Sequence, residues 1–236
     1  SSEYVFFETG VRADAGCNLL DLIKAAAARD LGGWEKLAGI PGTFGGAVRG
    51  NAGAFGSEIK DFISRVTAFN TSTLETGVWI APNLSFSYRD SSFKRESEWI
   101  ILSATVELGR IRKEESLKKI EEPIAEREKR HLQNVAAAGS FFMNPIAPAN
   151  IVELFEKEKH VKSRENRVPA GWLVEKASLK GAKVGGAVAS EQHPNYIVNE
   201  GGATAKDVLE LAAKVKEEVK KQFNVDLQEE AAVFHN

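Results

Sequence analysis

The chain has 236 residues, 43% of them apolar, which is enough to bury one large hydrophobic core or two smaller ones. The formal net charge is -2, the charges are of both signs, and no basic stripe marks a surface for nucleic acid. No apolar run reaches the roughly 20 residues that a membrane-spanning helix needs. The single cysteine, Cys17, suits a reducing compartment. We therefore expect a cytoplasmic monomer with neither nucleic acid nor membrane as a partner.

The first half of the chain is predicted to form short strands, one helix and a long glycine-rich loop. Asn18 suits the N-cap of a helix over residues 19–29, in which apolar residues repeat on one face. Residues 32–56 are too rich in glycine for the interior of a helix or strand, and we interpret them as loop. The predicted strands cover residues 5–8, 11–15, 62–69, 73–80 and 99–108.

The second half begins with a strongly charged segment, residues 113–131, which predicts a solvated connecting helix interrupted or kinked at Pro123. Further on, Thr204 suits the cap of a helix over Ala205–Phe223, whose apolar residues share one face, and residues 226–234 predict a closing strand. The pattern favours an α+β protein of two units. We place the first domain at residues 1–110, the connecting helix at 111–133 and the second domain at 134–236.

The glycine-rich stretch contains two motifs that suggest an anion-binding backbone. Residues 39–47 read Gly-Ile-Pro-Gly-Thr-Phe-Gly-Gly-Ala, and residues 51–56 read Asn-Ala-Gly-Ala-Phe-Gly. Glycine admits positive φ and lets a ligand approach the backbone, so that successive N–H groups can form a concavity for pyrophosphate. The stretch lacks both the Gly-Lys-Ser/Thr of a P-loop and the Gly-x-Gly-x-x-Gly of a Rossmann fold. Composition alone leaves tight turns and a phosphate cradle as equal alternatives.

Both glycine motifs resemble the flavin-binding signature of the UDP-N-acetylenolpyruvoylglucosamine reductase (MurB) family. Further motifs follow in that family's order: residues 86–93 (Phe-Ser-Tyr-Arg-Asp-Ser-Ser-Phe), 138–145 (Ala-Gly-Ser-Phe-Phe-Met-Asn-Pro), 171–175 (Gly-Trp-Leu-Val-Glu), 190–193 (Ser-Glu-Gln-His) and 227–230 (Leu-Gln-Glu-Glu). Each motif is weak alone, and their order makes the likeness specific from about residue 11 to residue 234. The short stretch between Arg89 and Ser140 resembles the family's shorter subtype, which lacks an additional substrate-covering loop.

The resemblance implies a flavoenzyme of peptidoglycan precursor synthesis. NADPH would reduce FAD, and the hydride would then pass to UDP-N-acetylglucosamine enolpyruvate, giving UDP-N-acetylmuramate. The implied fold is a partial PCMH-type FAD-binding domain followed by a smaller α/β substrate-binding C-terminal domain. The cofactor would contact the glycine-rich motifs, at Gly39, Ile40, Pro41, Gly42, Thr43, Gly45, Gly46, Asn51, Ala52 and Gly53.

The resemblance also implies roles for three residues at the reacting group. Arg89 would be the cation that stabilises the enolate-like intermediate, Ser140 the proton donor and Glu230 a second acid or base. Apart from the resemblance, a surface ion pair, a turn serine and a solvated terminal carboxylate are the better interpretations of these residues. Substrate or cofactor contacts are implied at Tyr88, Asn144 and His193. The histidines show no metal-ligand spacing, and we predict no catalytic metal.

Members of the family carry an additional N-terminal lobe with its own phosphate loop. The given sequence is expected to lack that lobe. This fragment is then expected to bind FAD weakly and to have doubtful activity by itself. Two alternatives remain open. One is a PCMH-type flavin oxidase that acts on a sugar or alcohol, and the other is a non-catalytic UDP-sugar-binding fragment.

Overall fold

A five-stranded antiparallel sheet organises the first part of the chain. The computed structural model describes residues 1–129 and 135–232, and the chain divides into unit 1, Ser1–Glu128, and unit 2, Lys129–Asn236. The strands of unit 1 are β1 (Tyr4–Phe7), β2 (Gly10–Asp14), β3 (Leu31–Gly32), β4 (Gly53–Ala54), β5 (Ser57–Glu58), β6 (Ile63–Asn70), β7 (Thr76–Ile80), β8 (Trp99–Glu107) and β9 (Gly109–Arg110). Its α-helices are α1 (Leu19–Ala27), α2 (Phe44–Arg49), α3 (Ser92–Arg95) and α4 (Lys113–Lys129).

The large sheet has the strand order β1-β2-β8-β6-β7, and one of its faces carries the core of unit 1. Alternation along β6 turns Val66 and Ala68 inward, since successive side chains of a strand point to opposite faces. Helix α1 adds its buried face to the same core, and Asn18 caps this helix by accepting a hydrogen bond from the Asp21 N–H at 3.1 Å. The predicted strands and the first helix are therefore confirmed, with ends that shift by up to three residues.

The sequence predicted that the glycine-dense stretch is loop, but part of it forms a helix. Helix α2 includes Gly45 and Gly46 and is capped by Thr43, whose Oγ1 accepts from the Gly46 N–H at 3.2 Å. A Cβ on Gly45 would lie 2.5 Å from the Cβ of Ala15, so glycine is required here by close packing against the chain just after β2. Tertiary packing thus overrides the low helix propensity of glycine.

Helix α4 runs through Pro123 without interruption, so the predicted interruption is wrong, and the kink given as its alternative stays a prediction. The helix is not solvated on every side, because Ile120 is buried in the core of unit 1. A buried hydrogen bond adds to this contact, since the Ser116 hydroxyl donates to the Glu35 carboxylate at 2.7 Å. These contacts fasten the helix to unit 1.

Unit 2 contains a four-stranded antiparallel sheet with the order β10-β13-β12-β11. Its strands are β10 (Ala137–Ser140), β11 (Lys183–Val184), β12 (Ala187–Ala189) and β13 (Tyr196–Asn199), and its helices are α5 (Ala149–Lys159), α6 (Ala170–Lys176) and α7 (Ala205–Phe223). The predicted helix α7 is confirmed, together with a capping box in which Thr204 and Asp207 exchange hydrogen bonds.

The closing strand predicted over residues 226–234 is wrong as far as the chain is described. Up to residue 232, this segment forms an isolated bridge between Glu229 and Phe142 in place of a strand. Its last two predicted residues, 233 and 234, lie outside the described residues. The buried side chains of Val225 and Leu227 fix the segment to the core of unit 2.

Candidate functional site

The turn that precedes α2 leaves few backbone N–H groups for a ligand. The amides of residues 44–47 all bond within unit 1: Phe44 to the Cys17 carbonyl, Gly45 to the Ala15 carbonyl, Gly46 to the Thr43 hydroxyl and Ala47 to the Thr43 carbonyl. Within the described residues, the Gly42 and Thr43 amides have no such partner. Gly42 is exposed at φ +118, and a Cβ there would meet no atom within 4 Å. A ligand can therefore approach the backbone at this turn through two adjacent N–H donors.

Arg89 lies in a tight turn between Ser87 and Asp90. The two flanking residues exchange backbone hydrogen bonds of 3.0 and 3.1 Å, and Arg89 itself has φ +56, which is uncommon for a residue with a side chain. The Lys94 ammonium donates to the Arg89 carbonyl at 2.9 Å, and Arg95 pairs with Asp90. The backbone of the predicted cation is thus held from both sides.

The Arg89 side chain is also held in place within unit 1. Its Nη2 donates to the Gly53 carbonyl at 2.8 Å, and its guanidinium lies 5.3 Å from the ring centroid of Tyr88. A Cβ on Gly53 would come within 3.1 Å of Arg89 Nη1, so the hairpin of β4 and β5 is shaped to admit this side chain. The structure therefore brings together Tyr88, Arg89 and Gly53, which the sequence had assigned to different contacts.

Asn51 is completely buried, and its side chain is engaged within unit 1. One amide N–H donates to the Ser87 carbonyl at 2.7 Å and another to the Glu58 carboxylate at 3.1 Å. The amide oxygen accepts from the Lys60 N–H at 3.3 Å. These bonds connect the segment after α2 to the turn that carries Arg89. The Asn51 N–H also donates to the Val48 carbonyl at 3.2 Å, so the backbone and side-chain donors of this predicted cofactor contact are already engaged within unit 1.

Ser91 has a structural role that the sequence did not reveal. Its buried hydroxyl donates to the Arg49 carbonyl at 2.6 Å and also accepts from the Lys94 N–H at 3.3 Å, where it caps α3. The Ser91 side chain thus ties the end of α2 to the residues that follow Arg89. The Tyr-Arg-x-Ser spacing was the available signal, and only the partner at Arg49 explains the serine.

In unit 2, Ser140 ends strand β10 after Gly139, whose φ is +89. The next residues are clamped by the buried Asn195. Its amide oxygen accepts from the Phe142 N–H at 2.9 Å, its amide nitrogen donates to the Phe142 carbonyl at 2.8 Å, and its backbone carbonyl accepts from the Phe141 N–H at 2.7 Å. Asn195 was missed by sequence reasoning, although it belongs to the segment that also contains His193.

Glu230 lies beside the same segment, because its N–H donates to the Phe141 carbonyl at 2.8 Å. The adjacent Glu229 bonds instead to the Lys216 ammonium at 2.8 Å. Burial is the largest single influence and acts to raise the pKa of Glu229, but the hydrogen bond and charge of Lys216, together with a backbone hydrogen bond, outweigh it, and the pKa lies below its ordinary value. Glu229 is thus occupied as a structural ion-pair partner. This supports the prediction that Glu230 is the carboxylate that works beside Ser140.

A cavity of about 420 Å³ opens next to Ser140, and Asn144 and His193 line it too. The backbone of Asn144 follows the clamped segment, and its amide oxygen accepts from the Ala170 N–H at 3.0 Å, at the start of α6. The cavity is also lined by Lys159, Trp172 and Gln192. Trp172 and Gln192 belong to the motifs at residues 171–175 and 190–193, and Lys159 lies outside the motifs. The cavity combines an aromatic face, a cation and amide groups.

The described residues contain neither a metal-binding group nor a membrane-spanning helix. In residues 1–129 and 135–232, no group of three or more His, Cys, Asp or Glu side chains is arranged to hold a metal ion. Within the same residues, no helix has the length and apolar character that crossing a membrane requires. The prediction that no catalytic metal is used stays a prediction.

Comparisons with known proteins bear on the family to which this chain belongs. Residues 130–234 match the family model for the UDP-N-acetylenolpyruvoylglucosamine reductase C-terminal domain. The UDP-N-acetylenolpyruvoylglucosamine reductase of Carboxydothermus hydrogenoformans is 40% identical to this chain, and the match covers 95% of this chain and 67% of the relative's length. The UDP-N-acetylenolpyruvoylglucosamine reductase of Solibacter usitatus is 35% identical, and the match covers 93% of this chain and 70% of that relative's length. The crystal structure of UDP-N-acetylenolpyruvylglucosamine reductase (MurB) from Thermus caldophilus matches 98% of this chain and 74% of its own, with 31% identity and a TM-score of 0.72. The chain belongs to the UDP-N-acetylenolpyruvoylglucosamine reductase family.

Proposed function

We propose that this chain reduces the enolpyruvyl ether of UDP-N-acetylglucosamine enolpyruvate to the lactyl ether of UDP-N-acetylmuramate, in peptidoglycan precursor synthesis. The observation that carries the proposal is the arrangement around Ser140. Ser140 ends β10 one residue before Phe141, whose carbonyl accepts from the Glu230 N–H, while the carboxylate of Glu229 pairs with Lys216. The family relationship supplies the substrate, and these residues supply a proton donor and a carboxylate to act on it.

FAD fits the turn at Gly42 and Thr43. The two N–H groups without a partner in the described residues, together with the open space at Gly42, suit one phosphate oxygen of a dinucleotide. This is a smaller donor set than the sequence predicted. When bound, the flavin would take hydride from NADPH and deliver it to the substrate, which is chemistry that no side chain provides.

The cavity of unit 2 fits the nucleotide-sugar part of the substrate. Lys159, which also pairs with Glu158 at 3.3 Å, offers a positive charge for a phosphate, and the largely buried Trp172 adds an apolar wall. Asn144, Gln192 and His193 add polar groups that can donate to or accept from sugar and base atoms. Such a site orients the substrate through parts remote from the reacting carbon, which is how binding energy serves catalysis.

The protein's own groups then manage the charge and the proton at the reacting carbons. As hydride adds to the double bond, negative charge develops on the neighbouring carbon and its carboxylate. Arg89, whose position is fixed by the Gly53 carbonyl, is the cation that stabilises this charge. The Ser140 hydroxyl gives its proton to the carbanion, and Glu230 supports that transfer.

The test compares two half-reactions in the FAD-loaded enzyme with variants at Ser140 and Glu230. Flavin reduction by NADPH is followed first without substrate, and flavin reoxidation by the enolpyruvyl UDP-sugar is followed second, under exclusion of oxygen. In Ser140→Ala and Glu230→Gln, we expect NADPH to reduce the flavin at the wild-type rate. We expect the substrate step to be slower by about 10²-fold or more in both variants. Glu229→Gln is the matched control, and it should keep both rates.

The proton-donor assignment is wrong if Ser140→Ala retains full substrate turnover. Reoxidation by oxygen at a rate that the UDP-sugar does not change would favour an oxidase. Location in the cytoplasm and action as a monomer stay predictions from the sequence.

A further inference from the structure

We infer that Asn51 is a positioning residue for Arg89, so that the second glycine motif, residues 51–56, serves the catalytic cation in addition to any contact with the cofactor. The inference rests on the proposed role of Arg89 in stabilising the developing charge. The proposed role of the Asn51 side chain is to hold the Arg89 side chain in place.

The first support is the number and direction of the bonds that Asn51 makes. A buried amide normally satisfies its donors and acceptor, and the partners of the Asn51 amide are the Ser87 carbonyl, the Glu58 carboxylate and the Lys60 N–H. Ser87 is two residues before Arg89 and forms one side of the turn that carries it. Glu58 belongs to β5, which pairs with the strand that holds the Arg89 guanidinium. Asn51 thus links both anchors of one side chain.

The second support is the unusual backbone on both sides of this link. Asn51 has φ +42 and Arg89 has φ +56, and such conformations cost energy unless surrounding bonds maintain them. Asparagine tolerates positive φ better than most residues with a side chain, so position 51 suits a residue that must turn the chain and donate hydrogen bonds at once. For Arg89, the bond from Asn51 to Ser87 is one of the contacts that maintain the turn.

The third support is the role of Glu58 in orienting the amide. A carboxylate accepts hydrogen bonds only, so it selects the nitrogen of Asn51 on its side and leaves the oxygen for Lys60. The Lys60 ammonium pairs with the same Glu58 carboxylate at 2.6 Å, which holds that group in place. The amide is therefore held in the one orientation that also donates to Ser87.

Two variants separate the effect of Asn51 on the position of Arg89 from its effect on the stability of the hairpin of β4 and β5. Asn51→Asp keeps size and tolerance of positive φ, but it places an oxygen against both the Ser87 carbonyl and the Glu58 carboxylate. The double variant Asn51→Asp, Glu58→Gln restores a donor between residues 51 and 58 and leaves the contact to Ser87 broken. Asn70→Asp is the matched control, since the buried Asn70 oxygen accepts from the Ser72 and Thr73 N–H groups and aspartate can do the same.

We expect Asn51→Asp to slow the substrate half-reaction at saturating UDP-sugar by about tenfold or more, with the rate expressed per bound flavin. The double variant should recover stability in denaturant and remain slow in the substrate step. Asn70→Asp should match the wild type in both half-reactions. A second readout is independent of turnover: the side-chain N–H signals of Arg89 in ¹⁵N NMR, identified by their absence in Arg89→Lys, should shift and exchange faster with water in both Asn51 variants.

The inference is overturned if Asn51→Asp is as fast as Asn70→Asp, or if the double variant recovers the substrate rate in full. If Asn51→Asp does not fold, Asn51→Gly is measured in the same way, because glycine accepts the positive φ and removes the same bonds. Arg89→Ala separates the two proposals. A normal substrate rate in that variant ends the proposed role of Arg89, and the NMR signals in Asn51→Asp then decide by themselves whether Asn51 positions the side chain.

Discussion

The contact between α2 and the chain after β2 allows a sharp test with one methyl group. A Cβ on Gly45 would lie 2.5 Å from the Ala15 Cβ and 3.0 Å from both its Cα and its carbonyl oxygen. Alanine in a helix gains about 1 kcal/mol over glycine, whereas overpacking costs about 1–3 kcal/mol. Because the obstructing atoms include backbone, they cannot rotate away, and the strain should exceed the gain. We expect Gly45→Ala to lower the free energy of unfolding of unit 1 by about 1–2 kcal/mol.

Equilibrium unfolding in denaturant, followed by tryptophan fluorescence, measures this change. Trp34 packs edge-to-face on Phe44 of α2 with ring centroids 6.4 Å apart, so its emission reports on this helix. Gly50→Ala is the control, because Gly50 has φ -89 and its added Cβ would be 3.5 Å from the nearest atom, an ordinary contact. That variant should be unchanged or more stable by up to about 1 kcal/mol. Equal stability of the two variants would refute the packing argument.

Three further substitutions test the remaining supports. Ser91→Ala removes the donor to the Arg49 carbonyl and the cap of α3. We expect a loss of about 1–2 kcal/mol in the unfolding free energy, with faster amide exchange in α3, and an unchanged midpoint would contradict it. Asn195→Ala should cost a similar amount and expose the Phe142 amide to hydrogen exchange, since both Phe142 backbone groups lose their partner. For Glu229, whose folded pKa is lowered, the stabilisation by Lys216 is present above the ordinary pKa of 4.5 and is lost as the pH falls through the folded value. Wild type should be more stable than Lys216→Met by at most about 1 kcal/mol, because the ion pair is partly exposed. This difference in unfolding free energy should disappear in acid. A difference that persists there would argue against the ion pair.

Much of the local structure followed from the sequence because its causes are local. Alternating apolar residues predicted β6 and β8, and the caps at Asn18 and Thr204 predicted the starts of α1 and α7. The order of the motifs predicted the family, and the comparisons confirmed it. Of the site, the sequence named Arg89, Ser140 and Glu230 through the resemblance alone. The contacts observed around them support these assignments, which remain predictions.

Long-range contacts determined the rest. Glycine composition argued against α2, and only the neighbouring Ala15 backbone makes glycine necessary there. Asn51 and Asn195 bond to residues 36 and 53 positions away, so no local pattern could reveal what their amides hold. The same holds for the choice between the adjacent carboxylates, which depends on Lys216 reaching Glu229 from α7. A sequence specifies which polar groups exist, but a buried group acquires its role from the partner that the fold brings to it, because burial without that partner would be too costly.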